Sequence, residues 1–282
     1  MPWENGHYSV SHPREPWSPD TPPVLVHAPL SVLNGPKKTP ARKAYVAAKR
    51  EFDIGAAFEV VERTVRQDTL DSIIAHVVSL GINCRIIMPH PAFDDDDGAG
   101  HAVADRPRNA IPFAYANYLS KLISRPVDEE IVQIARVGRT KLAKWPRFLC
   151  QPSFGGAVRV DEPYIIVDDA VTTAGTFAAL RSYIVRNGGS VIFTTALANS
   201  TGVNCQLAIG PEIHKVLLEA FGNGFEPFWF NTIGHQVGCL TEAEAQFLRE
   251  NADVWKSEGC VVGDELLQRL RDRIDEAATK NR

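Results

Sequence analysis

Cysteine, methionine and long apolar runs are scarce in this chain. Its 282 residues include two methionines and five cysteines, and the cysteines lie far apart at positions 84, 150, 205, 239 and 260 with no Cys-x-x-Cys pair. An odd, scattered set argues against a disulfide framework or a zinc knuckle. No stretch approaches the ~20 apolar residues that span a membrane, and the N-terminus has no apolar signal core. We therefore expect reduced cysteines in a cytoplasmic protein without membrane contact.

Composition indicates one globular domain with extensions. Hydrophobic residues make up 44% of the chain, which is ample for a core, and the formal net charge of −4 makes nucleic acid an unlikely general partner. Residues 1–41 hold nine of the nineteen prolines and are expected to form a flexible arm. The alternative is an ordered strap on the body or on a dimer partner, with Trp3 and Trp17 as anchors. The domain proper is then 42–282.

The segment Tyr164–Thr176 joins an apolar strand, two carboxylates and a hydroxyl-rich turn. Four apolar residues, 164–167, fit a strand buried on both faces, and apolar residues then recur at helical spacing at Phe177, Leu180 and Ile184. The turn is therefore predicted at the carboxyl edge of a parallel sheet, where N–H groups and the helix dipole attract anions. The alternative is an ordinary strand-to-helix turn whose threonines cap the helix.

This stretch closely resembles the phosphoribosyl pyrophosphate (PRPP) signature of type I phosphoribosyltransferases. It departs from the family at Ala170, where a larger aliphatic residue is usual, and at Ala174, where glycine is common. The resemblance implies that Asp168 and Asp169 are catalytic, orient the ribose and hold Mg²⁺ through ribose hydroxyls or water. It also implies that the 5-phosphate binds the turn formed by Ala170, Val171, Thr172, Thr173, Ala174, Gly175 and Thr176.

Two basic segments are expected to bind pyrophosphate. Arg106, Arg108 and Asn109 precede a helical run, at a helix start above the sheet. Between positions 131 and 160 there are six basic residues and no acidic one, and a mobile loop of the resembled family lies here. The candidates in that loop are Arg139, Lys141 and Lys144. The alternatives are that the arginines balance nearby aspartates and that the loop is merely solvated.

The remaining sequence completes an α/β prediction. We expect a doubly wound, mainly parallel sheet of the type I phosphoribosyltransferase kind, with a core at about 84–200 and a helical extension at about 205–282. Strands are predicted at 85–89, 130–137, 164–167 and 191–198. The run Asp94–Asp97 is read as a solvated acidic loop in preference to a magnesium site. The aromatic group at 225–230 and His235 are read as core rather than as a purine-binding platform.

The resemblance implies an enzyme that transfers a 5-phosphoribosyl group from PRPP to a nitrogenous acceptor, with Mg²⁺ as cofactor and pyrophosphate as product. A homodimer is expected. The second hypothesis is a non-catalytic PRPP or nucleotide sensor that has lost its base site. A third, weaker hypothesis is a hydrolase acting on phosphoribosyl compounds. The sequence does not identify the acceptor.

Overall fold

A computed structural model of the chain describes residues 13–90, 109–134, 145 and 151–279. Its central sheet contains four strands, namely β1 (Leu25–Pro29), β2 (Arg85–Ile87), β5 (Tyr164–Ala170) and β6 (Val191–Asn199). The strand order is β1-β6-β5-β2, and every pairing is parallel. The expected α/β architecture with a mainly parallel sheet is confirmed, and the carboxyl ends of all four strands meet at one edge.

Helices cover both faces of the sheet. On one face lie α1 (Leu30–Asn34), α2 (Pro40–Arg50), α3 (Ile54–Thr64), α4 (Gln67–Leu80) and α5 (Ile111–Ile123). Their buried side chains join Ile165 and Val167 of β5 in one hydrophobic cluster. On the other face, α6 (Gly175–Arg186) packs Phe177, Leu180 and Ile184 against Tyr164 and Ile166. The alternation of β5 side chains between the two clusters follows the two-residue period of a strand.

A third hydrophobic cluster builds the helical extension. It contains α7 (Pro211–Phe221), α8 (Phe225–Ile233), α9 (Glu242–Ser257) and α10 (Asp264–Thr279). A capping box begins α9, because the Thr241 side chain and the Glu244 side chain each accept a hydrogen bond from the other residue's N–H. Phe225 and Trp229 are fully buried, as the core interpretation expects, whereas Phe228 is half-buried and Phe230 is 54% exposed. Among the described helices, none has the length and apolar character needed to cross a bilayer.

Two expectations about strands need correction. The strand expected at 130–137 is present, in the residues described, only as β3 (Val132–Gln133), which pairs antiparallel with β4 (Phe154–Gly155) outside the main sheet. The Asp128 carboxylate accepts hydrogen bonds from the Glu130 and Ile131 N–H groups and bends the chain away just after it passes β2. Residues 25–29, expected within a flexible arm, instead supply the edge strand β1.

Candidate ligand site at the carboxyl edge of the sheet

The acidic pair lies at the end of β5 and is joined by groups from three separate segments. Asp169 is only 5% exposed. The Lys49 ammonium forms an ion pair with its Oδ2 atom, and Asn109 Nδ2 donates to the same oxygen at 3.1 Å. The Asp169 N–H donates to Asp168 Oδ1 at 2.8 Å. Asp168 is half-buried, so it is the carboxyl group that a ligand reaches more readily.

Packing of α2 and α5 places Lys49 and Asn109 at this position. Ala44 and Ala48 bury the inner face of α2, which directs the last-turn residue Lys49 toward the edge of the sheet. The Ala110 N–H donates to the Ala48 carbonyl at 2.9 Å and ties the start of α5 to α2. Asn109 Oδ1 accepts from the Ile111 N–H at 3.2 Å, which fixes its amide toward Asp169.

The pKa values of the two carboxyl groups are shifted in opposite directions. Burial, together with the neighbouring Asp169 carboxylate, raises the pKa of Asp168 well above its usual value. Burial also opposes ionisation of Asp169, yet the Lys49 ammonium and the Asn109 amide outweigh it and lower the pKa of Asp169. Burial likewise opposes the charge on Lys49, whose pKa is nevertheless raised by Asp169. These shifts place the negative charge preferentially on Asp169, which is paired with an ammonium, rather than on Asp168.

The turn that follows β5 has a strained backbone. Ala174 lies in the left-handed region with φ 57° and immediately precedes α6. A residue with a Cβ atom adopts this conformation at a cost of about 1–2 kcal/mol, and such strain is concentrated at functional sites. The Thr173 carbonyl accepts from the Thr241 hydroxyl at 2.6 Å, which fixes the turn to the start of α9. Thr172 is exposed and presents its hydroxyl at the same edge as Asp168.

A buried ion pair supports the other side of this turn. The Arg14 guanidinium donates to both carboxylate oxygens of Glu244, at 2.5 and 2.8 Å. A Cβ atom built on Gly175 would lie 2.9 Å from Glu244 Oε1 and 2.8 Å from Gln151 Oε1. Gln151 and Glu244 therefore pack directly beside Gly175. Thr172, in the same turn, is exposed.

The structure brings together only some of the residues expected to bind ligand. Asp168, Asp169, Asn109 and the turn at 170–176 lie at one edge, whereas Arg106, Arg108, Arg139, Lys141 and Lys144 lie outside the described residues, as does the Asp94–Asp97 run. Sequence reasoning missed Lys49, Arg14 and Glu244. No local pattern marks Lys49 or Arg14, because their partners lie 120 and 230 positions away.

The described residues do not fit a directly held magnesium ion. No group of three or more His, Cys, Asp or Glu side chains comes together in that part of the chain. The Lys49 ammonium and the Asn109 amide bind one Asp169 oxygen, and burial disfavours the charged form of Asp168. Mg²⁺ is usually bound through one or two carboxylates together with water and substrate phosphates, and here one of the two carboxylates is already bound by Lys49 and Asn109 while the charged form of the other is disfavoured.

The structure thus defines an α/β protein with a cluster of polar side chains at the carboxyl edge of a parallel sheet. Over 269 residues the chain is 33% identical to Protein TraN of Escherichia coli, a match that covers 95% of this chain and 52% of that protein. Over 173 residues it is 31% identical to an uncharacterized protein of Haemophilus influenzae, covering 61% of this chain and 34% of that protein. The chain thus aligns with about half, or less, of these relatives. No protein-family model matches it.

These comparisons overturn the phosphoribosyltransferase prediction. The absence of a matching family model extends to the models of phosphoribosyltransferases, and the relative that matches nearly the whole chain is named Protein TraN. The predicted family, the transfer of a phosphoribosyl group and the enzyme class are therefore wrong. The resemblance rested on thirteen residues, and a buried strand followed by an acidic, Thr/Gly-rich turn is a local solution that unrelated α/β proteins can share.

Proposed function

We propose that this chain is a non-enzymatic, TraN-like binding module, and that it binds a small molecule carrying hydroxyl groups next to an anionic group. The observation that supports this most directly is the convergence of Lys49, Asn109 and the acidic pair beside the strained turn at Ala174. Ligands of open α/β sheets bind outside the carboxyl ends of the strands. The polar groups gathered there thus lie where a ligand is expected.

The acidic pair suits adjacent hydroxyl groups. The raised pKa of Asp168 favours its protonated form, which donates one hydrogen bond and accepts another, whereas Asp169 is already bound by Lys49 and Asn109. A hydroxyl of the ligand can accept from Asp168 while its neighbour donates to it. Asp169 does not contact the ligand in this arrangement; its ion pair with Lys49 balances the charge beside Asp168. We interpret this arrangement as one for ligand recognition, because the described residues place no nucleophile or base beside either carboxyl group.

The turn at 171–175 suits the anionic group. The first N–H groups of a helix have no acceptor within the helix, and the helix dipole adds positive potential there. Thr172 adds an exposed hydroxyl. Glu244 would repel an anion if it were unpaired, but its bidentate contact with Arg14 neutralises it. An organic phosphate or carboxylate at the Thr172 side is therefore compatible with the charges around the turn.

The proposal also includes a cytoplasmic location and a role for Mg²⁺. A cytoplasmic location is supported by Cys84, Cys205, Cys239 and Cys260, which are all free thiols. Magnesium enters only as a hydrated ion that accompanies the anionic group of the ligand, because the described carboxylates do not fit direct ligation.

Calorimetric titration with ribose 5-phosphate, ribose and inorganic phosphate tests the proposal, with and without Mg²⁺. We expect ribose 5-phosphate to bind more tightly than either fragment. Asp168→Ala should weaken binding about 10-fold, the equivalent of one to two hydrogen bonds. Asp168→Asn should retain most of the affinity, because an amide offers one donor group and one acceptor like a protonated acid.

Asp161→Asn is the matched control, since Asp161 is an exposed carboxylate just before the other end of β5. It should bind as the wild type does. The proposal fails if none of the three compounds binds, or if Asp168→Ala and the control bind ribose 5-phosphate equally well.

A further inference from the structure

The cations of this chain are unevenly distributed. From Thr21 to Arg50 there are six lysines and arginines and no acidic residue, in a protein whose net charge is −4. Elsewhere, seven of the described surface cations have a carboxylate partner, as in Arg66–Asp68, Arg85–Glu162, Arg159–Glu130, Lys215–Glu219, Lys256–Asp253, Arg269–Glu258 and Arg273–Glu276. The exposed cations Lys121, Arg186, Arg249 and Arg271 have no ion-pair partner in the described part of the chain, but each lies on a different helix. The segment around α2 instead gathers several such cations.

Four of these cations form what we call the α2 basic face, defined as Lys37, Lys38, Lys43 and Arg50. All four are exposed, and in the described part of the chain none of them contacts a carboxylate. Helical geometry places Lys43 and Arg50 on the side of α2 opposite the buried Ala44 and Ala48. Arg42 lies at the margin of this face, with its guanidinium 5.1 Å from the centre of the Tyr45 ring.

We propose that the α2 basic face binds the phosphodiester backbone of a nucleic acid. Lys43 and Arg50 are seven positions apart, or about 10.5 Å along the helix axis, a distance close to three phosphate steps at the ~3.4 Å axial rise of one strand. Unpaired, exposed cations on a rigid helix suit such a repeating anion, because no ion pair has to be broken on binding. The proposal is independent of the small-molecule site.

A nucleic acid fits this face better than a lipid surface does. A helix that lies on a membrane inserts an exposed apolar face beside its cations. The apolar face of α2 is instead buried against the protein through Ala44 and Ala48, and the aliphatic residues nearest the outward cations, Val46 and Ala47, are half-buried. The binding should be independent of base sequence and weak, since the net charge of −4 opposes the approach of a polyanion.

Fluorescence anisotropy with a labelled mixed-sequence duplex, and with its separate strands, tests this proposal. We expect a dissociation constant of about 10⁻⁴–10⁻⁶ M and a steep loss of affinity between ~50 and ~200 mM salt. The double variant Lys43→Gln, Arg50→Gln should bind the duplex at least 10-fold more weakly. It should also reduce the slope of log K against log salt by about 2, because each lost phosphate contact removes about 0.9.

The control is the double variant Lys215→Gln, Lys256→Gln. It removes two positive charges, as the α2 variant does, but from α7 and α9. It should leave the slope unchanged. The proposal is overturned if no DNA binds at low salt, if both double variants weaken binding equally, or if phosphatidylserine vesicles bind while DNA does not. Retained binding of ribose 5-phosphate by the α2 variant would show that the other site is intact.

Discussion

At the scale of single residues, a buried histidine is held in one protonation state. His27 Nδ1 accepts from the Arg66 N–H at 3.0 Å, so its proton lies on Nε2, which is 2.8 Å from the Tyr115 hydroxyl. Tyr115 in turn donates to Thr195 at 2.8 Å, and Thr195 donates to the Leu25 carbonyl at 2.9 Å. Every member of this chain of hydrogen bonds is satisfied, and a second proton on His27 would have no acceptor.

This chain of hydrogen bonds predicts sensitivity to mild acid. Burial lowers the pKa of His27 from 6.5 to about 4, so between these values the unfolded protein binds a proton that the native protein does not. The free energy of unfolding should therefore fall as pH decreases from 6.5 to 4, at up to about 1.4 kcal/mol per pH unit for this group. Urea unfolding measured at several pH values gives the slope.

His27→Gln should reduce that slope without abolishing it, because burial also lowers the pKa of His235 to about 4. His76→Gln, at an exposed position of α4, is the control and should keep the wild-type slope. An unchanged slope in His27→Gln would show that this histidine does not carry the acid sensitivity.

At the scale of elements, the start of α6 has no room for a side chain. We expect Gly175→Ala to lower the free energy of unfolding by about 1–3 kcal/mol, because its Cβ atom would lie within 3 Å of Gln151 and Glu244. Gly55→Ala provides a matched comparison near the start of α3, where the nearest atom is 3.4 Å away. Chemical denaturation should show that variant to be neutral or slightly stabilised. Equal effects of the two substitutions would contradict the packing argument.

The elements that could be predicted from sequence are those whose signal is local. The run 164–167 and the helical repeat after it lie side by side in the chain, so β5 and α6 were placed correctly. Gly81, which follows α4 in a left-handed conformation, is a local signal of the same kind. By contrast, β1 has only a short apolar run to mark it, and β3 depends on Asp128 turning the chain. Asp168 and Asp169 could be predicted from the same local signal. Lys49 could not, because it lies on a helix 120 positions earlier in the chain.

At the scale of the whole molecule, residues 14–17 join the helical extension to the sheet. Arg14 binds Glu244 and the Cys239 carbonyl, and Trp17 Nε1 donates to the Leu240 carbonyl at 2.7 Å. The Arg181 guanidinium of α6 lies 4.7 Å from the centre of the Trp17 ring. The Trp17 contact agrees with the expected alternative of an ordered strap on the body.

Loss of the buried cation in this strap should be costly. Burial opposes the charge on Glu244, and Arg14 outweighs it and lowers the pKa of Glu244. Arg14→Met should therefore reduce the free energy of unfolding by about 3–5 kcal/mol, because it leaves a buried carboxylate without its partner. Denaturant titration of this variant and of Arg14→Met with Glu244→Gln checks the cause, and the double variant should recover much of the loss. No recovery would mean that Arg14 stabilises through packing alone.

The parallel edge strand has a consequence for how the protein is made. Leu25 and its partner Thr195 are separated by 170 positions, so β1 leaves the ribosome long before β6 exists to pair with it. During that interval Val24, Leu25 and Val26, all buried in the finished protein, stay without their strand partner. Contacts of such wide separation form late, and a newly made strand of this kind is a natural substrate for chaperones.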